Sequence, residues 1–105
     1  MKFKNLAIFM TLLCCTLPLA ALEVPPLAAP VTDTAGLLSA EQAKQLNDLL
    51  LDHQTETSNQ FAVLIIPSLE GEVLESYSIR VAEAWALGQA DKDNGLLLLV
   101  ALAER

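Results

Sequence analysis

Asp91-Lys92-Asp93-Asn94-Gly95 sets three oxygen-bearing side chains within four residues of a turn. Calcium prefers such clusters of hard oxygen ligands on flexible loops. An EF-hand is excluded, because the twelfth position counted from Asp91 is Leu102, where a bidentate glutamate is required. Asp, Asn and Gly are also the residues of any tight turn before a strand, so the segment reads either as a calcium contact or as a structural turn. The other carboxylate of interest is Asp33, in Val31-Thr32-Asp33-Thr34-Ala35-Gly36-Leu37-Leu38-Ser39. It either caps a local turn or faces a cleft. Asp33, Asp91, Asp93 and Asn94 are therefore the candidate metal ligands and calcium the candidate cofactor, with no residue singled out as catalytic.

Other chemistries find no support. His53 is the only histidine and stands beside an apolar stripe with no second histidine or nearby cysteine to complete a transition-metal site. Ser58, Ser68, Ser76 and Ser78 lie in no Gly-x-Ser-x-Gly elbow. Neither a phosphate-cradling glycine loop nor a dinucleotide fingerprint occurs. Tyr77 and Trp85, at helical spacing, read as core.

The elements that must position these residues follow from periodicity. Ser39 and Gln42 form a capping-box pair, and Ala43, Leu46, Leu49 or Leu50, and His53 share one side of the following segment. This predicts a helix over 40–56. Phe61 to Ile66 is a continuous apolar run closed by Pro67, as in a strand buried on both faces. Val73, Leu74, Tyr77, Val81 and Trp85 predict a second helix over 72–87, ended by Gly88 in a left-handed conformation. A second apolar strand then runs over 95–102. Strand, helix and strand make a βαβ unit, with parallel strands and by rule a right-handed crossover. The fold class is α/β: an α/β/α sandwich with a small, mainly parallel sheet. In this topology Asp33 lies with Ser68 and Glu70 at the C-terminal strand edge, where open α/β sheets bind ligands, and Asp91 to Asn94 lie at the opposite edge. A single metal bound by both sets would contradict the topology.

The ends bear on location. Lys2 and Lys4, an apolar run from Leu6 to Leu17, and small residues at Ala20 and Ala21 have the three-part layout of a secretory signal peptide. Cleavage is expected after Ala21, with an uncleaved N-terminal anchor as the alternative; the run of about a dozen residues is short of the roughly 20 that span a bilayer. Leu13 before Cys14 does not suit lipidation. Residues 1–21 thus form the signal peptide, 22–30 a Pro-rich linker or edge segment, and 31–105 the domain. Both cysteines fall in the signal, so no disulfide framework is expected in the remainder. Removing the signal leaves four basic against thirteen acidic residues, a net charge of -9, which disfavours nucleic acid and anionic lipid. The expected location is the periplasm or the outer face of the cytoplasmic membrane. The stop directly after an apolar strand leads us to expect a domain that is incomplete at its C-terminus.

Asp33-x-Ala35-Gly36-Leu37-Leu38-Ser39, the strand Phe61 to Ile66, Trp85 with Gly88, and Asn94-Gly95-Leu96-Leu97-Leu98 occur in an order and with gaps that resemble the TPM domain family, over Val31 to Arg105. The resemblance implies an α/β/α sandwich with a further strand and more helix beyond the present chain. It also implies a range of roles. Plant relatives in the thylakoid lumen are associated with photosystem II repair and an acid phosphatase activity. Some members bind calcium, and an animal relative is an accessory protein of an acetylcholine receptor. Many bacterial members carry a transmembrane segment after the domain, so a membrane tether would belong to that later part. Some have been labelled methanol-dehydrogenase-like, but nothing here suggests a quinone cofactor.

Two functions from different classes follow. One is an exported, non-catalytic accessory or maintenance module for a membrane protein complex, steadied by calcium. The other is a metal-assisted acid phosphatase using Asp33, Asp91 and Asp93. Phosphoryl transfer needs charge compensation by metal, Arg or Lys, and after the signal only Lys44, Arg80, Lys92 and Arg105 are basic.

Overall fold

A computed structural model describes residues 21–88 and 93–104. Three strands, β1 (Val31–Asp33), β2 (Gln60–Ile66) and β3 (Gly95–Ala101), form one sheet in the order β1-β2-β3. Both pairings are parallel, with Asp33 opposite Ile65 and Ile65 opposite Val100. Helix α1 (Ala40–Thr57) joins β1 to β2, helix α2 (Leu74–Trp85) joins β2 to β3, and a 3-10 turn (Leu102–Glu104) follows β3. The α/β expectation holds. Strand β1 is an addition: three residues are too few for a periodicity to show, and it exists because Val31 to Asp33 pair with the longer β2.

Alternation along β2 divides the interior. Ala62, Leu64 and Ile66 face α2 and form a core with Leu69, Tyr77, Val81 and Trp85, joined by Leu97, Leu99 and Ala101 from β3. Phe61, Val63 and Ile65 face α1, as do their β3 partners Leu96, Leu98 and Val100. The two helices therefore cover opposite faces. Both connections step the same way across the sheet, so passing over opposite faces gives them opposite hands. One of them departs from the right-handed rule.

Helix α1 starts at Ser39 with the capping box complete: Ser39 Oγ accepts from the Gln42 amide at 3.1 Å, and Gln42 Oε1 accepts from the Ser39 amide at 2.9 Å. It ends on Ser58, whose φ is 66°. None of its residues is fully buried, and Leu50 rather than Leu49 turns inward; Leu49 is 64% exposed. Asn47 Oδ1 accepts the Val31 amide at 2.8 Å, tying α1 to the sheet.

Helix α2 is two residues shorter at each end than periodicity predicts. Its N-terminal position has no side-chain cap, and Val73 and Leu74 stay largely exposed, outside the apolar stripe that their spacing suggested. The left-handed cap falls on Ala86, with Gly88 also at positive φ two residues later. Tyr77, Val81 and Trp85 are buried as read from the spacing.

The Pro-rich segment 22–30 lies along α2. Leu22, Val24 and Leu27 pack on the core, the Tyr77 hydroxyl donates to the Glu23 carbonyl at 2.8 Å, and Trp85 Nε1 donates to the Pro25 carbonyl at 2.7 Å. Proline lacks an amide donor and holds the chain extended, which leaves these carbonyls free to accept from side chains of α2.

Candidate functional site

The C-terminal edge of the sheet gathers Asp33 at the end of β1 with Thr34 after it, Ser68 and Glu70 after β2, and Glu104 after β3. Asp33 Oδ1 accepts the Ala35 amide at 3.0 Å and Oδ2 accepts the Leu38 amide at 2.8 Å. The bond from Leu38, with further help from the neighbouring amides, holds this carboxyl below the usual aspartate value. Asp33 thus organises the loop that delivers the chain to the Ser39 cap, which was one of its two sequence readings.

Glu104 performs a comparable service on the other side. It accepts from Ser68 Oγ at 2.8 Å and from the Leu69 amide at 3.1 and 3.2 Å through its two oxygens. Ser68 Oγ in turn accepts the Glu70 amide at 3.0 Å. Glu104 and Asn47 were not singled out in the sequence; each sits far along the chain from the backbone it holds, so local spacing carries no trace of the contact.

Beside this edge lies a cleft of about 260 Å³ between the 22–30 segment and the loop after β2, lined by Leu22, Glu23, Pro25, Thr34, Ile66, Pro67, Ser68, Glu70 and Tyr77. Among the described residues no lysine or arginine lines it. Arg80 stands nearby, over the Tyr77 ring at 5.2 Å, but gives its guanidinium to Glu72. Lys44 pairs with Asp48 on the exposed side of α1 at 2.7 Å; Lys92 and Arg105 lie outside the described residues.

The other candidate ligands sit at the N-terminal edge. Asp91 lies outside the described residues. Asp93 takes a positive φ of 46°, and Asn94 enters β3 with its Nδ2 donating to the Ser58 carbonyl at 2.6 Å and its carbonyl accepting the Gln60 amide at 2.8 Å. Gln60 Oε1 accepts the Gly88 amide at 2.8 Å. Asn94 therefore fastens the end of α1 to the start of β3, and Gln60 fastens the segment beyond α2 to the sheet. Counting along β3 from Val100, level with Asp33, back to Asn94 gives a separation of roughly 20 Å at about 3.3 Å per residue.

The described residues do not fit one calcium site drawn from all four predicted ligands. Asp33 and the Asp93-Asn94 pair lie at opposite sheet edges, and among the described residues no three His, Cys, Asp or Glu side chains come together as a metal cluster. His53 stacks on Phe61 with ring centroids 4.7 Å apart, a packing role.

The order of signatures along the chain now has a matching geometry: an Asp33 loop into a capped α1, apolar β2, Trp85 and Gly88 closing α2, and Asn94-Gly95 opening β3. A model of the TPM domain family matches residues 31–105, beginning at the first residue of β1. The chain belongs to the TPM domain family. No curated protein matches it. Within this TPM domain the signature aspartate and the Asn-Gly pair mark the two ends of a parallel sheet, and their described contacts are with backbone groups. No helix among the described residues is long and apolar enough to cross a membrane.

Proposed function

We propose that this TPM protein works outside the cytoplasm as a non-catalytic accessory module for a membrane protein complex. The observation that carries the reading is the use made of Asp33. Both of its oxygens accept backbone amides in the loop before α1, so this carboxylate at the C-terminal edge of the sheet is engaged in building that loop. Glu104, at the same edge beyond β3, is likewise engaged with the backbone of the loop after β2. Phosphoryl transfer would need a cation facing these groups, and the cleft is lined by hydroxyls, carboxylates and apolar side chains.

The test uses the protein exported by its own leader. Phosphate release from p-nitrophenyl phosphate is followed from pH 4 to 7, with and without calcium, beside chemical cross-linking in intact envelopes. The module reading expects no turnover above the Asp33→Ala background and a cross-link to an integral membrane protein. Turnover that disappears in Asp33→Ala would instead establish the acid phosphatase.

A further inference from the structure

Ala21 is exposed, and the next residue is held by its backbone nitrogen: the Leu22 N–H donates to Glu72 Oε1 at 2.7 Å. The second oxygen of Glu72 accepts from Arg80. These contacts hold the Glu72 carboxyl below its usual value, the bond from Leu22 being the largest cause and Arg80 the next. Glu72 retains 23% of its side-chain exposure and Arg80 39%, so the site is half-sheltered at the mouth of the cleft that Leu22 itself lines.

A neutral amide is a modest partner for a carboxylate placed this way; an ammonium is a stronger one. We propose that hydrolysis of the Ala21–Leu22 bond creates the real partner of Glu72, the α-ammonium of Leu22, and that this ion pair fastens the 22–30 segment onto α2. The reaction consumes one water. Its hydroxyl goes to the Ala21 carbonyl carbon as the amide C–N bond breaks, and the protons left over convert the Leu22 nitrogen to an ammonium while Ala21 departs as a carboxylate. Arg80, Glu72 and the ammonium then form a three-membered row in which one carboxylate bridges two cations.

The position of the cut is decisive. Tyr77 and Trp85 fix Glu23 and Pro25 by their carbonyls, so the register of the segment on α2 is set independently of its first residue. Removing Leu22 would leave Glu72 with Arg80 alone, and retaining Ala21 would carry the charge one residue, about 3.5 Å, away. The pair also places a second positive charge beside Arg80 at the mouth of the cleft. This inference does not depend on the accessory role, since it concerns maturation and the docking of one segment.

The experiment starts with the intact mass and N-terminal sequence of the exported protein, expected to begin at Leu22. Its α-amine is then acetylated selectively, which removes the charge but keeps an N–H donor. Acetylation is expected to lower the melting temperature by about 3 °C, and the loss is expected to vanish in Glu72→Gln. Should Glu72→Gln fail to fold, an NMR titration of the wild-type α-amine decides: titration above the ordinary α-amine range supports the pair. A mature chain beginning at another residue, an acetylated protein as stable as the free amine, or an α-amine titrating at its ordinary value would each overturn the proposal.

Discussion

Asp33 is a carboxylate whose proton affinity is set by amides. Its folded value lies below 3.8, the value of an unperturbed aspartate, so the folded state binds the proton less well than the unfolded chain. Linkage then gives the sign: the stabilisation is fully present above the unfolded value and drains away as pH falls through the folded one. Glu72 is depressed too and acts in the same acidic window. Melting temperature measured from pH 6 to pH 2.5 is expected to fall below about pH 4.5 in the wild type, and to fall less steeply in Asp33→Asn, which keeps one amide acceptor but cannot titrate. Asp33→Ala should cost about 1–2 kcal/mol at pH 7 through the two lost hydrogen bonds. An Asp33→Asn curve parallel to the wild type would mean that the loop does not depend on this charge.

The elements show what a linear reading captures and what it misses. The capping box of α1, the two long strands and the buried Tyr77, Val81 and Trp85 are encoded in neighbours three or four residues apart, or in unbroken apolar runs, and so were legible. Strand β1 was not, because its three residues owe their conformation to pairing with β2. The exposed Val73 and Leu74 mislead for a related reason: helical spacing records what a face could bury, and at this end of α2 Val73 is 60% and Leu74 45% exposed. Nor does spacing reveal that Gly95 has a structural task beyond its place in a turn. A Cβ on Gly95 would lie 2.7 Å from the Gly88 nitrogen and from the Leu87 carbonyl carbon, backbone atoms that cannot step aside without moving the end of α2. Gly36 has a positive φ of 68° but open space around it. Urea unfolding should therefore separate the two: Gly36→Ala is expected to cost about 1 kcal/mol from backbone strain alone, and Gly95→Ala at least about 2 kcal/mol because β3 or α2 must shift. Equal costs would mean that Leu87-Gly88 and the start of β3 are not held in contact in solution.

At the scale of the whole molecule the two faces of the sheet are unequally covered. The face under α2 is closed by that helix and the 22–30 segment, whereas α1 leaves Leu96 and Leu98 at 57% and 56% exposure. With Leu46, Leu50, Val63 and Val100 they line an apolar groove of about 390 Å³, and β3 stands at the edge of the sheet among the described strands. An apolar face beside an unpaired strand edge promotes association between chains. Alternation along β3 makes the consequence testable one residue at a time, since Leu98 faces the groove and Leu99 packs on the opposite core. Leu98→Lys is expected to change unfolding free energy by no more than about 0.5 kcal/mol and to lower the association seen by sedimentation velocity as concentration rises. Leu99→Lys should cost several times as much, because it sets an unpaired charge beside its fully buried sheet partner Leu64 and against the core under α2. If Leu98→Lys proved as damaging as Leu99→Lys, the α1 face would be covered in the protein as it folds, and the groove would be part of its core.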